Sequence, residues 1–152
     1  MRIACFMALF FITICLLGCG GDGLNRVPIQ GVLTSQGEPI NGATVLFIPA
    51  AGTPGEGGIG QTDAAGKFTL ISSRQSDTGI PPGKYTVRVT RLIDGDGTIL
   101  PPDVAEADYP MSRESIPAPY SGDGSPLETT ISEQGGEIKL EIPVAVSGSE
   151  KS

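Results

Sequence analysis

Between Gly60 and Arg91 the chain reads GQTDAAGKFTLISSRQSDTGIPPGKYTVRVTR, and that stretch leaves little room for anything but β-structure. From Lys84 to Thr90, Tyr85, Val87 and Val89 fall on one face and Thr86, Arg88 and Thr90 on the other. Such period-two alternation of aromatic and β-branched residues, bounded by Gly and Pro, predicts a strand with one buried face. Pro81-Pro82-Gly83 feeds it as a tight turn. A shorter strand is expected around Phe68 to Ser72, entered through Thr62-Asp63-Ala64-Ala65-Gly66-Lys67. In that turn Asp63 can accept hydrogen bonds from its own downstream backbone, and Gly66 can take positive φ.

The pattern recurs on both sides. Ile29, Gly31 and Leu33 share one face of a first strand, and Ala43, Val45 and Phe47 one face of a second, over Ala43 to Pro49. Leu46 and Ile48 make the other face of that second strand apolar too, which predicts a central position or cover on both sides. Ala50 to Gly58 reads as a loop. Two closing strands follow, one holding Leu127 and Ile131, the other Ile138, Leu140, Ile142 and Val144 alternating with Glu137, Lys139 and Glu141. Gly (22) and Pro (13) make up about a quarter of the 152 residues and punctuate these runs without forming a repeat. The expectation is one all-β domain over about residues 27–146, with seven or so antiparallel strands in a two-sheet sandwich.

The N-terminus carries a different signal. Met1-Arg2 is a short positive start, and Ile3 to Leu17 is an almost unbroken apolar run, too short to span a bilayer comfortably. It ends in Leu16-Leu17-Gly18-Cys19, which resembles the bacterial lipobox. That resemblance implies a lipoprotein signal peptide over residues 1–18, removed to leave Cys19 as a lipidated N-terminus. Diacylglycerol would sit on the thiol and a palmitate-type acyl chain on the amine. An ordinary secretory signal with a chance cysteine, or an uncleaved helix, are the plainer readings. Cys5 and Cys15 lie within the segment to be removed, so the exported domain would hold no disulfide and would depend on its core. Gly20, in place of the aspartate that retains many lipoproteins at the inner membrane, favours the outer membrane. Residues 20–26 read as a Gly-rich flexible tether, and 147–152 as a polar tail.

With the strands set out, a further resemblance emerges. GVLTSQGEPINGATVLFIPA, TDAAGKFTL and PPGKYTVRV, in this order, resemble the carboxypeptidase-regulatory-like family of small β-sandwiches with transthyretin-like, broadly immunoglobulin-like, topology. The residues that carry it are Gly37, Pro39, Gly42, Ala43 and Val45, then Thr62, Asp63, Gly66 and Phe68, then Pro82, Gly83, Tyr85 and Val87. Together with the lipobox, and with Ile116 to Ser121 and the closing strand, the chain is similar to small lipoproteins of planctomycete-type bacteria. The resemblance implies a fold and a role as an accessory or adhesion-like module, and it brings no catalytic residues.

Charge and composition narrow the function classes. The balance is −7 and no stripe of Lys and Arg is present, so the cationic footprint of a nucleic-acid binder is missing. The chain has no His, the commonest general base, and Cys19 is assigned to lipid, so no nucleophile, base and orienting group assemble. A Ser–Lys pair is the remaining arrangement, but Lys67, Lys84, Lys139 and Lys151 sit in strand or tail contexts that suggest solvated ends. The expectation is a protein without catalytic residues or cofactor.

The segment 92–115 is acidic and Pro-rich and reads as a long loop, with Arg91 and Arg113 as expected early protease sites. Within it Asp94 and Asp96 are the metal-ligand candidates, because hard cations take carboxylate oxygens. The EF-hand template fails there, with Thr98, Ile99 and Ala105 at its fifth, sixth and twelfth places. A solvated turn is the plainer reading of Asp94-Gly95-Asp96-Gly97, and also of Asp123. Asp63 reads as a turn former, Tyr85 as a core residue, and Tyr120 is undecided between core and ligand stacking.

The function expected is a lipid-anchored cell-envelope protein whose non-catalytic sandwich acts as a structural or interaction module, with an envelope protein or glycan as partner. The alternative is an envelope binding protein for calcium or glycan acting through 92–115.

Overall fold

The computed structural model describes residues 22–73, 78–104 and 106–147. The leader 1–18, Cys19 and all of the tail except Ser147 lie outside them. The described chain is an all-β sandwich. Its strands are β1 (Ile29–Ser35), β2 (Glu38–Pro39), β3 (Thr44–Pro49), β4 (Gly58–Gln61), β5 (Lys67–Thr69), β6 (Ile71–Ser72), β7 (Gly83–Thr90), β8 (Leu92–Ile93), β9 (Arg113–Glu114), β10 (Glu128–Ile131) and β11 (Gly136–Ile142). Seven of them have three residues or more.

The first sheet is centred on β1, which carries β11 along one edge and β5 and then β2 along the other. The second runs in the order β10-β7-β3-β4-β6. Between them lies one core. Ile29, Leu33, Phe68, Leu140 and Ile142 come from the first sheet, and Val45, Phe47, Tyr85, Val87, Val89 and Ile131 from the second. Each belongs to the inward set of an alternating strand, which is why the period-two pattern placed most of them correctly. Phe47 joins the two sheets, its ring centroid 6.2 Å from Phe68 and 6.0 Å from Tyr85.

Four features depart from the expectation. The pair β1–β11 is parallel, while the others are antiparallel. The turn after β10 delivers Gly136 beside Pro28, whose carbonyl accepts the Gly136 N–H at 3.1 Å. The last strand therefore starts at the end where β1 starts and has to run alongside it. The run Phe68 to Ser72 is divided at Leu70, with β5 in the first sheet and β6 in the second. Leu70, fully buried, holds that corner through its N–H to the Ile29 carbonyl at 3.0 Å. Gly58–Gln61 is a strand where the sequence offered only the end of a loop. Its glycines permit this, because a Cβ on Gly60 would come within 2.9 Å of the Thr69 carbonyl. Lastly, β11 ends at Ile142, leaving Val144 40% exposed beyond it.

The segment after β7 is folded against the sandwich. β8 pairs with β9, Glu106–Asp108 forms a single 3₁₀ turn, and Ile93, Leu100 and Ile116 are buried. Arg91 is only 2% exposed, which corrects its expected role as an early protease site. Arg113 is exposed.

Candidate functional site

Two of the three motifs that carry the family resemblance meet at one junction, while the Pro82 to Val87 motif lies toward the other end of the sheet. Thr62 Oγ1 accepts the Ala43 N–H at 2.8 Å, and the Thr62 N–H reaches the Ala43 carbonyl at 2.9 Å. The Gly42 N–H donates to the Thr62 carbonyl at 3.1 Å and the Thr62 hydroxyl to the Ala43 carbonyl at 3.3 Å, so Gly42-Ala43 and Thr62 are tied through four bonds. Asp63 Oδ1 accepts from the Ala65 and Lys67 amides at 2.8 and 2.9 Å, closing the turn as its spacing suggested. Gly66, at φ +71°, gives its carbonyl to the Leu33 N–H at 2.8 Å, and a side chain there would press on Pro39. Asp63 is thus a backbone brace. Tyr85 is 1% exposed and donates its hydroxyl to the Pro81 carbonyl at 2.6 Å, with burial raising its pKa. Tyr120 is half-buried against the core, and its carbonyl takes the Val89 N–H at 3.0 Å.

The carboxylates of Asp94 and Asp96 are engaged by their own turn. Asp94 Oδ1 accepts from the Gly95 amide at 2.5 Å and Asp96 Oδ1 from the Thr98 amide at 2.9 Å. The bond from Thr98 holds the Asp96 pKa below its ordinary value. Among the described residues no three His, Cys, Asp or Glu side chains gather as a metal-binding group. Asp123, largely exposed, pairs with Arg88 at 2.5 Å.

A buried cation that the sequence reading missed is Arg91. Its Nε donates to Ser115 Oγ at 2.9 Å, Nη1 to the Asn41 carbonyl at 3.2 Å and Nη2 to the Ser147 carbonyl at 2.6 Å. Glu114 Oε1 accepts the Arg91 and Ile116 amides at 2.9 and 2.7 Å. Burial lowers the pKa of the guanidinium, while the charge of Glu114 acts in the opposite sense. One side chain thus fastens the loop before β3, the residue that follows β9 and the end of the described chain. Arg at the end of an alternating strand reads as solvated, and only the run of polar residues around Ser115 hinted at a partner.

The two outer faces of the sandwich differ in chemistry. On the first sheet Gln30, Lys67, Thr69, Glu137, Lys139 and Glu141 stand outward, and an open hollow of about 580 Å³ lies over part of this polar surface. On the second, the register aligns Arg88, Leu46, Ile59 and Ile71 in one row across β7, β3, β4 and β6. Ile59 and Ile71 are 37% and 42% exposed, and Leu46 and Ile48 are half-buried. The sequence expectation for β3 is met by its central position, and Leu100, Pro101 and Pro102 line a small pocket with Thr44 and Thr90 at one end of this face.

The chain enters the domain near that row. Asp22 and Arg26 form a two-pronged ion pair at 2.9 and 2.5 Å, and Asp22 Oδ1 also takes the Leu24 N–H at 3.1 Å. Arg26 draws the Asp22 pKa down to about 2. Leu24 and Pro81 both crowd the space beside Gly55, and Val27 bridges Ile80. No family model, curated protein or solved structure matches this chain.

Proposed function

We propose that this is a lipid-anchored cell-envelope protein whose sandwich, of the carboxypeptidase-regulatory-like type, serves as a non-catalytic structural or interaction module. The observation that carries the reading is Leu16-Leu17-Gly18-Cys19 at the end of a charged-start, apolar leader. In the domain, the polar residues with the strongest claim to chemistry are tied up in backbone bonds: Asp63, Asp94 and Asp96 brace turns, and Arg91 fastens three segments. Gly20 directs the assignment to the outer membrane over the inner one. Acyl chains contribute about 0.8 kcal/mol per buried CH₂, and stable attachment takes two of them or more.

Replacing Cys19 with Ser tests the reading. Fatty-acid labelling and sedimentation with membranes should both disappear, while the domain still folds. Membrane attachment that survives Cys19→Ser and is released only by detergent would overturn it. The calcium or glycan alternative through 92–115 has less support, since the two candidate ligands already close their own turn. Its calcium form would require a calcium-dependent rise in melting temperature that is lost in Asp94→Asn/Asp96→Asn.

A further inference from the structure

We propose that the outer face of β3, β4 and β6 rests on the lipid bilayer, with Ile59 and Ile71 in contact with the headgroup and upper acyl region. The inference rests on the anchor at Cys19 and specifies what that anchor brings together. Its first support is the leash. Cys19 precedes Asp22 by three residues, which span at most about 10 Å fully extended. From Asp22 onward slack is removed by the ion pair to Arg26, by Leu24 beside Gly55, and by the Val27–Ile80 bridge. A domain held this closely has to lay some part of its surface against the membrane.

The second support is which surface is at hand. Gly55, beside Leu24, is four residues before Ile59, so the chain enters at the end of the sheet where β4 begins. Ile59 and Ile71 stand opposite each other in register and are the most exposed members of the apolar row. Apolar side chains gain by leaving water for the membrane interface, whereas the outer face of the first sheet offers chiefly carboxylates, lysines and amides. Charge agrees. The chain carries −7 overall, yet on the outer face of this sheet Arg88 is paired with Asp123, and Lys84 stands with Glu128, which shares the face through its register with Thr86. These two cations and two carboxylates cancel, so the face can approach lipid without bringing the excess negative charge with it.

The chain contains no Trp, so one introduced indole is a clean reporter. Residues 19–152, whose one thiol is Cys19, would be coupled to a maleimide-headgroup lipid in phosphatidylcholine vesicles. Coupling supplies the anchor chemically, so the measurement does not depend on lipidation in cells; loss of the Cys19 labelling result would sink the anchor and leave this measurement readable. Ile71→Trp and, as a second reporter, Ile59→Trp should shift to the blue on coupling and be quenched by brominated lipid at least twofold more than Lys139→Trp on the opposite sheet. Equal quenching at 71 and 139, or indoles at 59 and 71 as open to aqueous iodide after coupling as before, would overturn the proposal. A blue shift that arises without lipid and grows with protein concentration would also overturn it, by assigning the face to a second copy of the chain.

Discussion

Gly31 and Phe68 offer a quantitative test of how the two sheets meet. Gly31 is on the inward side of β1, opposite Phe68 in register, and its φ is not in the left-handed region that would require glycine. A Cβ built there would run into the Phe68 ring, 2.8 Å from Cε1, and lie 2.9 Å from Ile138 Cγ1. Gly31→Ala should therefore overpack the core at a cost of about 1–3 kcal/mol, less the ~0.5–1 kcal/mol that alanine recovers in strand conformational entropy. Phe68→Ala removes a 4%-exposed ring that also touches Phe47, and should cost about 3–5 kcal/mol. In the double variant the new methyl group points into the space the ring has left, so Gly31→Ala should become neutral or mildly stabilising. The expected coupling is about 1–3 kcal/mol, well above the ~0.3–0.5 kcal/mol scatter of independent sites. Equilibrium urea unfolding of the four proteins measures it, with Phe68→Leu in place of Ala if the latter leaves too little native baseline. Costs that simply add would mean that the ring does not occupy the space above Gly31, and the register between β1 and β5 would have to be redrawn.

Arg91→Lys should destabilise the domain by at least about 2 kcal/mol, because an ammonium cannot serve the Ser115, Asn41 and Ser147 oxygens together and buried acceptors are left unpaired; thermal unfolding at a fixed pH reads this. In the wild type, brief trypsin treatment should cut after the exposed Arg113 and spare the buried Arg91, and equal cleavage at both would contradict the clasp. The Asp22–Arg26 pair predicts an acid transition with a definite sign. Since Arg26 depresses the folded pKa of Asp22 to about 2 from 3.8, its support is complete above pH 4 and fades as pH falls toward 2. An NMR titration of the Asp22 carboxyl should place its midpoint near 2 and not near 3.8, with the Leu24 amide shifting in step.

How much could be read in advance follows from what each signal encodes. β7 was plain because Tyr85, Val87 and Val89 alternate without interruption, and the Asp63 and Gly66 turn because each residue has a specific backbone duty. Alternation reports which face is buried and carries no information about which strand lies alongside, so the parallel pairing of β1 with β11 was invisible. β4 was missed because Gly58 and Gly60 have poor strand propensity; only the tight approach of the Leu70 corner makes small residues necessary there. The fold of 92–116 escaped because Ile93, Leu100 and Ile116 are too widely spaced to show a period, and because a buried Arg91 departs from the usual behaviour of arginine. The exposed row on β3, β4 and β6 was half legible: Leu46 and Ile48 announced an apolar outer face, while Ile59 and Ile71 joined it only through register.

The parallel β1–β11 ladder also sets the order of events as the chain folds. Thr34 hydrogen-bonds across it to Glu141, 107 residues away in sequence, so the central strand of the first sheet waits for nearly the last residues of the domain. Until then β1 has only the short β2 and β5 beside it, and one edge of its backbone is open to stray pairing. Contacts this distant slow folding and prolong exposure of unfinished edges. A chain stopped short of β11 would therefore be left with a half-sandwich. Sensitivity to late truncation is thus written into a single strand pairing.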